Sequence, residues 1–300
     1  MAKQRRRPPQ QAILDITVAD DGIRPVREVP EWTRNKLAIL WSYLNAYARA
    51  CESARRFFFV DGLAGPGLCK VRGRDEWLLG STMLALRVEP GFTKCLAMEL
   101  DSDSVSALGK RAAAFGDRAL VLRGDCNLDL VGAMENHLPK TAPVFALLDP
   151  EGTELHWRTV EAVARFRRGP RKTELLILLA TSFLDRMLPL NAEVEDRNVD
   201  ALNRVFPTPA WQGIRERKRA HEITSEQGRE AQMESYAAWL RNELGYEFVR
   251  TRPVSRSGSS ASVYHLIFAS DHEAGERIMD YVFRTMHPNE PNLRLPGLLD

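Results

Sequence analysis

Apolar residues fall along the chain in two alternating patterns. Short unbroken runs, Phe57-Phe58-Phe59-Val60, Cys95-Leu96-Ala97-Met98, Leu120-Val121-Leu122, Val144-Phe145-Ala146-Leu147-Leu148 and Leu175-Leu176-Ile177-Leu178-Leu179-Ala180, suit strands covered on both faces. Between them, apolar residues recur at three- and four-residue spacing. Leu37, Leu40, Trp41, Leu44 and Ala48 make one helical stripe before the first run, and Trp157, Val160, Val163 and Ala164 make another, ended by basic residues and Gly169-Pro170. Parallel strands need a crossover of this kind between them, and residues 81–87 supply a further one. The pattern predicts a wound α/β sheet.

Downstream, a helix is predicted over 226–244, followed by β segments from Tyr246 to Val254 and from Ser262 to Phe268 joined by a loop rich in Ser and Gly. Ile278, Val282 and Met286 mark a last helix. The segment 181–225 has helical pieces but no strand, and reads as an insertion. Residues 1–30, with Arg5-Arg6-Arg7-Pro8-Pro9, read as an extended or flexible arm.

The first run ends in Asp61-Gly62-Leu63-Ala64-Gly65-Pro66-Gly67, a carboxylate followed by three glycines within six positions. Gly62, Gly65 and Gly67 would let the backbone take positive φ and pass close to a ligand. Three later runs also end in acids: Glu99, Asp125 and Asp149. In an open parallel sheet ligands sit outside the carboxyl ends of the strands, so these four acids are predicted to converge on one mouth. Acids there favour a ligand with hydroxyls, amines or positive charge. A dinucleotide fold would need G-x-G-x-x-G with an acid about 20 residues later, and a phosphate loop would need Gly-Lys-Ser/Thr; neither is present. Helix capping is the alternative use of each acid taken singly.

With these motifs the chain resembles a class I S-adenosylmethionine-dependent methyltransferase. More narrowly, over about residues 32–286, it resembles the three-Cys-motif partner protein family, through Lys36 on the N-terminal helix, the Asp61–Gly67 turn, Gly80-Ser81 and Asp149-Pro150. Glu151 departs from the family pattern, which places an aromatic there. The resemblance implies a Rossmann-like fold over residues 31–300, with a mostly parallel seven-stranded sheet whose seventh strand is antiparallel. It also implies an S-adenosylmethionine site of Asp61, Gly62, Ala64, Gly65, Gly67, Ser81, Glu99, Leu100, Asp125, Cys126, Asp149 and Pro150. Glu99 would meet the ribose hydroxyls, Asp125 the adenine amino group, and Asp61 would lie near the methionine end. Ser81, as the N-cap of its helix, could hold the methionine carboxylate. Asp149 would be the catalytic residue, accepting a hydrogen bond from the nucleophile.

Composition changes this picture little. The chain has 300 residues, 44% hydrophobic and 27% charged, and no apolar run nears the roughly 20 residues needed to cross a bilayer. A cytoplasmic protein without membrane contact is expected. Cys51, Cys69, Cys95 and Cys126 form no C-x-x-C pair and the histidines no metal-ligating spacing, so no metal site is expected. Net charge is +2, but basic residues cluster at 165–172, 215–219 and 250–256. Such clusters suit phosphates, and Trp211 beside Arg215, Arg217, Lys218 and Arg219 could stack on a base or anchor a protein. The resemblance leaves two functional classes: a methyltransferase acting on nucleic acid or another macromolecule, and a non-catalytic, cofactor-binding partner subunit of a radical-SAM-like three-Cys-motif protein.

Overall fold

The unbroken apolar runs form the five parallel strands of a seven-stranded sheet in the computed structural model, which describes residues 16–188, 190, 195–255 and 261–285. The elements are β1 (Thr17–Val18), β2 (Arg27–Val29), α1 (Thr33–Ala50), β3 (Phe58–Asp61), β4 (Leu68–Val71), β5 (Trp77–Leu79), α2 (Ser81–Arg87), β6 (Lys94–Glu99), α3 (Ser102–Ala112), β7 (Ala119–Arg123) and α4 (Leu130–His137). The second half adds β8 (Val144–Leu148), α5 (Trp157–Ala164), β9 (Glu174–Leu179), α6 (Thr181–Arg186), α7 (Asp196–Val205), α8 (Ala210–Arg219), α9 (Ser225–Asn242), β10 (Phe248–Ser255), β11 (Ser262–Ser270) and α10 (Glu273–Thr285).

The sheet order is β7-β6-β3-β8-β9-β11-β10. β3 pairs in parallel with β6 and β8, as do β6 with β7 and β8 with β9. β11 runs antiparallel to both of its neighbours. This is the Rossmann-like, mostly parallel arrangement that was expected. The winding reverses at β3, between β6 and β8, so the crevice outside the carboxyl ends of these strands is a topological switch point.

Side-chain alternation on the strands divides the core in two. Phe57, Phe59, Phe145 and Phe268 face α1, where Tyr43 and Tyr47 meet them, while Phe58, Val60, Ala146 and Ile267 face α5 and α9. Each fully buried aromatic or aliphatic side chain contributes about 1.5–3 kcal/mol of transfer free energy, which is why the runs in β3, β6, β8 and β9 carry no polar residue inside them.

Residues 16–30 differ from the expected arm. They carry β1 and β2, which join the β4–β5 hairpin in a second sheet of order β1-β5-β4-β2. Arg111 on α3, its side chain 3% exposed, fastens the stretch between them, donating to Asp21 and to the carbonyls of Ile23, Pro25 and Pro66. Strands of two and three residues have no readable period, and their partners lie tens of residues away. Arg5, Arg6 and Arg7 lie outside the described residues, as do Arg256 and Met286.

Trp211 is also not where the sequence suggested. It is buried at 3% exposure, and its indole N–H donates to Asn203 Oδ1 at 3.0 Å. Lys218 is buried in an ion pair with Asp185, whose other oxygen lies 3.4 Å from Arg229. The apolar stripe of α8 faces the core, and Trp211 rides on it.

Candidate functional site

The carboxyl end of β3 turns into Gly62–Gly67 because small residues let this loop pass between its neighbours. Gly65 and Gly67 adopt φ +61° and +85°, in the left-handed region. Gly62 does not; its side would hold a Cβ 2.8 Å from Leu148 Cδ2, so it is small for space and not for conformation. Ala64 N–H donates to Met98 O at 2.9 Å, tying the turn to β6, and Gly80 N–H donates to Gly67 O at 2.8 Å.

Glu99, at the end of β6, is held from both sides. One oxygen accepts from Gly65 N–H at 2.8 Å and the other from Asp101 N–H at 2.9 Å. Leu100 follows it, 63% exposed. At the end of β7, Asp125 accepts from Asn127 N–H at 2.7 Å, and Asn127 Oδ1 in turn accepts from His156 N–H and the Thr159 hydroxyl. Glu99, Leu100, Asp125, Cys126 and Asn127 line one cavity of about 590 Å3, with Pro25 and Val26 of the N-terminal strap and Arg204 of α7.

A second cavity of about 400 Å3 opens between α1, α6 and the start of β11, lined by Trp32, Lys36, Cys69, Arg72, Phe183, Arg186 and Tyr264. Arg27, Leu63, Gly65, Pro66, Asp149 and Glu151 line both cavities, so the two meet at the ends of β3 and β8. Here two ion pairs cross: Lys36 with Asp149, and Arg27 with Glu151. Pro150 lines the second cavity beside Asp149.

Asp61 and Ser81 stand apart from the expectation. Asp61 is fully buried and lines neither cavity; its Oδ2 accepts from Ser81 Oγ at 2.5 Å and Thr82 Oγ1 at 2.8 Å. Burial pushes its carboxyl up to about 6, against the pull of those two hydroxyls. Ser81 does line the second cavity, but the N-cap of α2 is Gly80, and Ser81 spends its hydroxyl on Asp61. Three of the four strand-end acids therefore face the mouth, and the fourth fastens α2 to β3. Burial also raises both thiols at the cavities, that of Cys69 and that of Cys126, the latter to about 12. Neither is a thiolate nucleophile at neutral pH.

None of the described members of the three basic clusters lines either cavity. Several are spent elsewhere: Arg165 on Glu161, Lys172 on Asp271, Arg250 on Glu276, and Arg252 on the carbonyl of Phe283. The cations that do line the cavities, Arg27, Lys36, Arg72, Arg186 and Arg204, come from distant parts of the sequence, and only Lys36 carried a signal there, through its motif. Among the described residues no group of three or more His, Cys, Asp or Glu side chains could hold a metal ion, and no helix is long and apolar enough to cross a membrane. All four cysteines are free.

No family model and no curated protein matches this chain. Among solved structures, the N-terminal domain of human METTL16 in complex with SAH overlaps with a TM-score of 0.45 at 11% identity, over 88% of this chain and 78% of that one. The O-methyltransferase from Bacillus cereus in complex with SAH gives 0.42 at 14%, over 87% and 96%. A putative O-methyltransferase from Klebsiella pneumoniae gives 0.41 at 12%, over 90% and 92%. With TM-scores below 0.5, the fold assignment rests on the strand order and not on these overlaps.

Proposed function

We propose that the chain binds S-adenosylmethionine in the first cavity and transfers its methyl group to an acceptor held in the second. Glu99 carries this reading. Backbone N–H groups of Gly65 and Asp101 fix its carboxylate at the cavity wall, leaving oxygen lone pairs to accept from a pair of vicinal hydroxyls. The exposed Leu100 beside it offers an apolar face to a purine, and Asp125 an acceptor for an exocyclic amine. This set of acceptors, with the apolar face beside it, thus fits an adenosine.

Bound there, the cofactor supplies an electrophilic methyl on a sulfonium. The chain's part is to hold an acceptor N–H or O–H in line with it, and positioning of this kind supplies most of the acceleration of a bimolecular displacement. Asp149 stands where the cavities meet and is the acceptor for that proton-bearing group. Lys36 orients its carboxylate and offsets its charge. Arg27 does the same for Glu151 and, belonging to β2, makes the N-terminal strap a wall of both cavities.

Membership of the three-Cys-motif partner family is part of this reading, supported by Lys36, the glycine turn and Asp149-Pro150 meeting around the joined cavities. One observation favours the second reading, a cofactor-binding subunit that serves a partner protein without transferring the methyl itself: the ion pairs of Asp149 and Glu151 already engage both carboxylates at the junction.

Calorimetry with S-adenosylmethionine and its demethylated product tests the site. Glu99→Ala should weaken binding roughly 5- to 150-fold, equivalent to about 1–3 kcal/mol for a missing charged hydrogen-bond partner. Unchanged affinity, or tighter binding of NAD, rejects the assignment. Labelled cofactor incubated with cell extract then separates the two readings by whether product appears.

A further inference from the structure

The wall of the second cavity differs from that of the first. Phe183, on α6, is 38% exposed, one of three large apolar side chains among the described residues that are not covered. Its ring is fixed from below by the turn after Asp149, where Gly152 is so close that a Cβ would sit 2.9 Å from Phe183 Cε1. The Arg186 guanidinium lies 5.5 Å from the same ring centroid. Trp32 contributes a second aromatic surface to the lining.

Charge follows the same division. Lys36 and Arg27 are neutralised by Asp149 and Glu151. Arg72, in the β4–β5 hairpin, and Arg186, at the end of α6, are exposed at the same cavity and make no ion pair with a carboxylate among the described residues; their side-chain hydrogen bonds, to Glu28 O and Ser182 Oγ, are 3.4 Å long. An aromatic ring beside unneutralised cations, at a cavity too small for a folded segment but ample for one planar ring, fits a base with phosphates on either side. A protein interface would need an apolar centre, and a few aromatic rings in a lining shared with Arg72 and Arg186 do not make one.

We propose that the acceptor is a single-stranded or flipped-out nucleotide of a nucleic acid, its base seated in the second cavity against Phe183 and its flanking phosphates on Arg72 and Arg186. This rests on the methyl-transfer reading of the same site. It also moves the nucleic-acid surface away from Trp211 and the 215–219 cluster.

Fluorescence anisotropy with labelled single-stranded RNA and DNA of about 15 nucleotides tests it, a length that covers the usual single-stranded site. The wild type should bind with log affinity falling linearly against log salt. Arg72→Gln with Arg186→Gln should weaken binding and flatten that slope by about 1.4, about 0.7 for each phosphate of a single strand that is left without its cation. Phe183→Ala should weaken binding roughly tenfold with the slope unchanged. Calorimetric affinity for S-adenosylmethionine should stay within about threefold in all variants, because none of the three residues lines the first cavity. No binding of either oligonucleotide at about 50 mM salt, where phosphate contacts are strong, overturns the proposal, and so does binding that all three substitutions leave untouched. Cofactor binding without oligonucleotide binding rejects the nucleotide acceptor alone; oligonucleotide binding that depends on Phe183, without cofactor binding, supports the surface and rejects methyl transfer.

Discussion

Replacing Asp61 by Asn separates the work of this carboxylate in holding α2 from any role in binding. Asp61 is fully buried, accepts from two hydroxyls through Oδ2, and has no partner at Oδ1. Burial lifts its carboxyl from 3.8 to about 6. That is about two units, or roughly 3 kcal/mol at about 1.36 kcal/mol per unit. Because the folded value lies above the unfolded one, the associated stability is fully present below about pH 4 and is lost as pH rises through about 6. An amide keeps an acceptor for Ser81 and Thr82 but cannot ionise. The difference in unfolding free energy between Asp61→Asn and wild type should therefore shift by roughly 3 kcal/mol in favour of the variant between about pH 4 and pH 8. A fixed offset of about 1 kcal/mol from the amide N–H2 left without a partner does not alter that shift. Glu174, pushed up to about 7 by burial, titrates in both proteins and cancels in the difference. Urea denaturation at several pH values measures it. A difference that stays flat with pH refutes the reasoning; so does a loss of cofactor affinity as large as that of Glu99→Ala, which would return Asp61 to the binding site.

Three other outcomes are expected. Gly67→Ala should cost about 2–4 kcal/mol by thermal or urea unfolding, since it combines positive φ with a Cβ 2.7 Å from Leu108 Cδ1; a cost near zero would show that α3 moves freely. Asp149→Ala should leave cofactor affinity within about threefold and abolish methyl transfer, and equal loss of both would make the residue structural. Lys218→Met should destabilise by about 3 kcal/mol, the lower end for breaking a buried pair because Arg229 remains 3.4 Å from Asp185; a neutral result would mean that the pair is worth no more than its desolvation.

The central sheet was legible in the sequence because four of its five parallel strands, β3, β6, β8 and β9, are buried on both faces, and burial on both faces writes an unbroken apolar run; β7, half-buried at the sheet edge, kept the pattern in Leu120-Val121-Leu122. The turn at Gly65 and Gly67 was legible for a related reason: left-handed backbone leaves a mark in residue type. Glu99, Asp125 and Asp149 could be assigned to one mouth because strand ends in a parallel sheet share a side. The same rule failed for Asp61, since a strand-end carboxylate can as well turn inward to two hydroxyls of the following helix, and sequence does not record which way it points.

The rest depended on neighbours distant in sequence. Arg27, expected in an extended or flexible arm, became a wall of both cavities once β2 had paired with β4, a pairing between segments some 40 residues apart. Trp211 and the basic runs looked like a ligand surface because charge and aromaticity cluster there, yet α8 turns its tryptophan to the core and the clusters lie away from the cavities. Phe183, Arg72 and Arg186 looked ordinary one by one. Sequence by itself determined which segments form the seven-stranded sheet, how they are wound and where a loop must be small, since these follow from local periodicity and steric limits; the short strands of the second sheet it did not determine. Which cations meet which acids, and which aromatic ring is left uncovered, was decided only by tertiary packing, because those contacts join residues whose spacing along the chain carries no period.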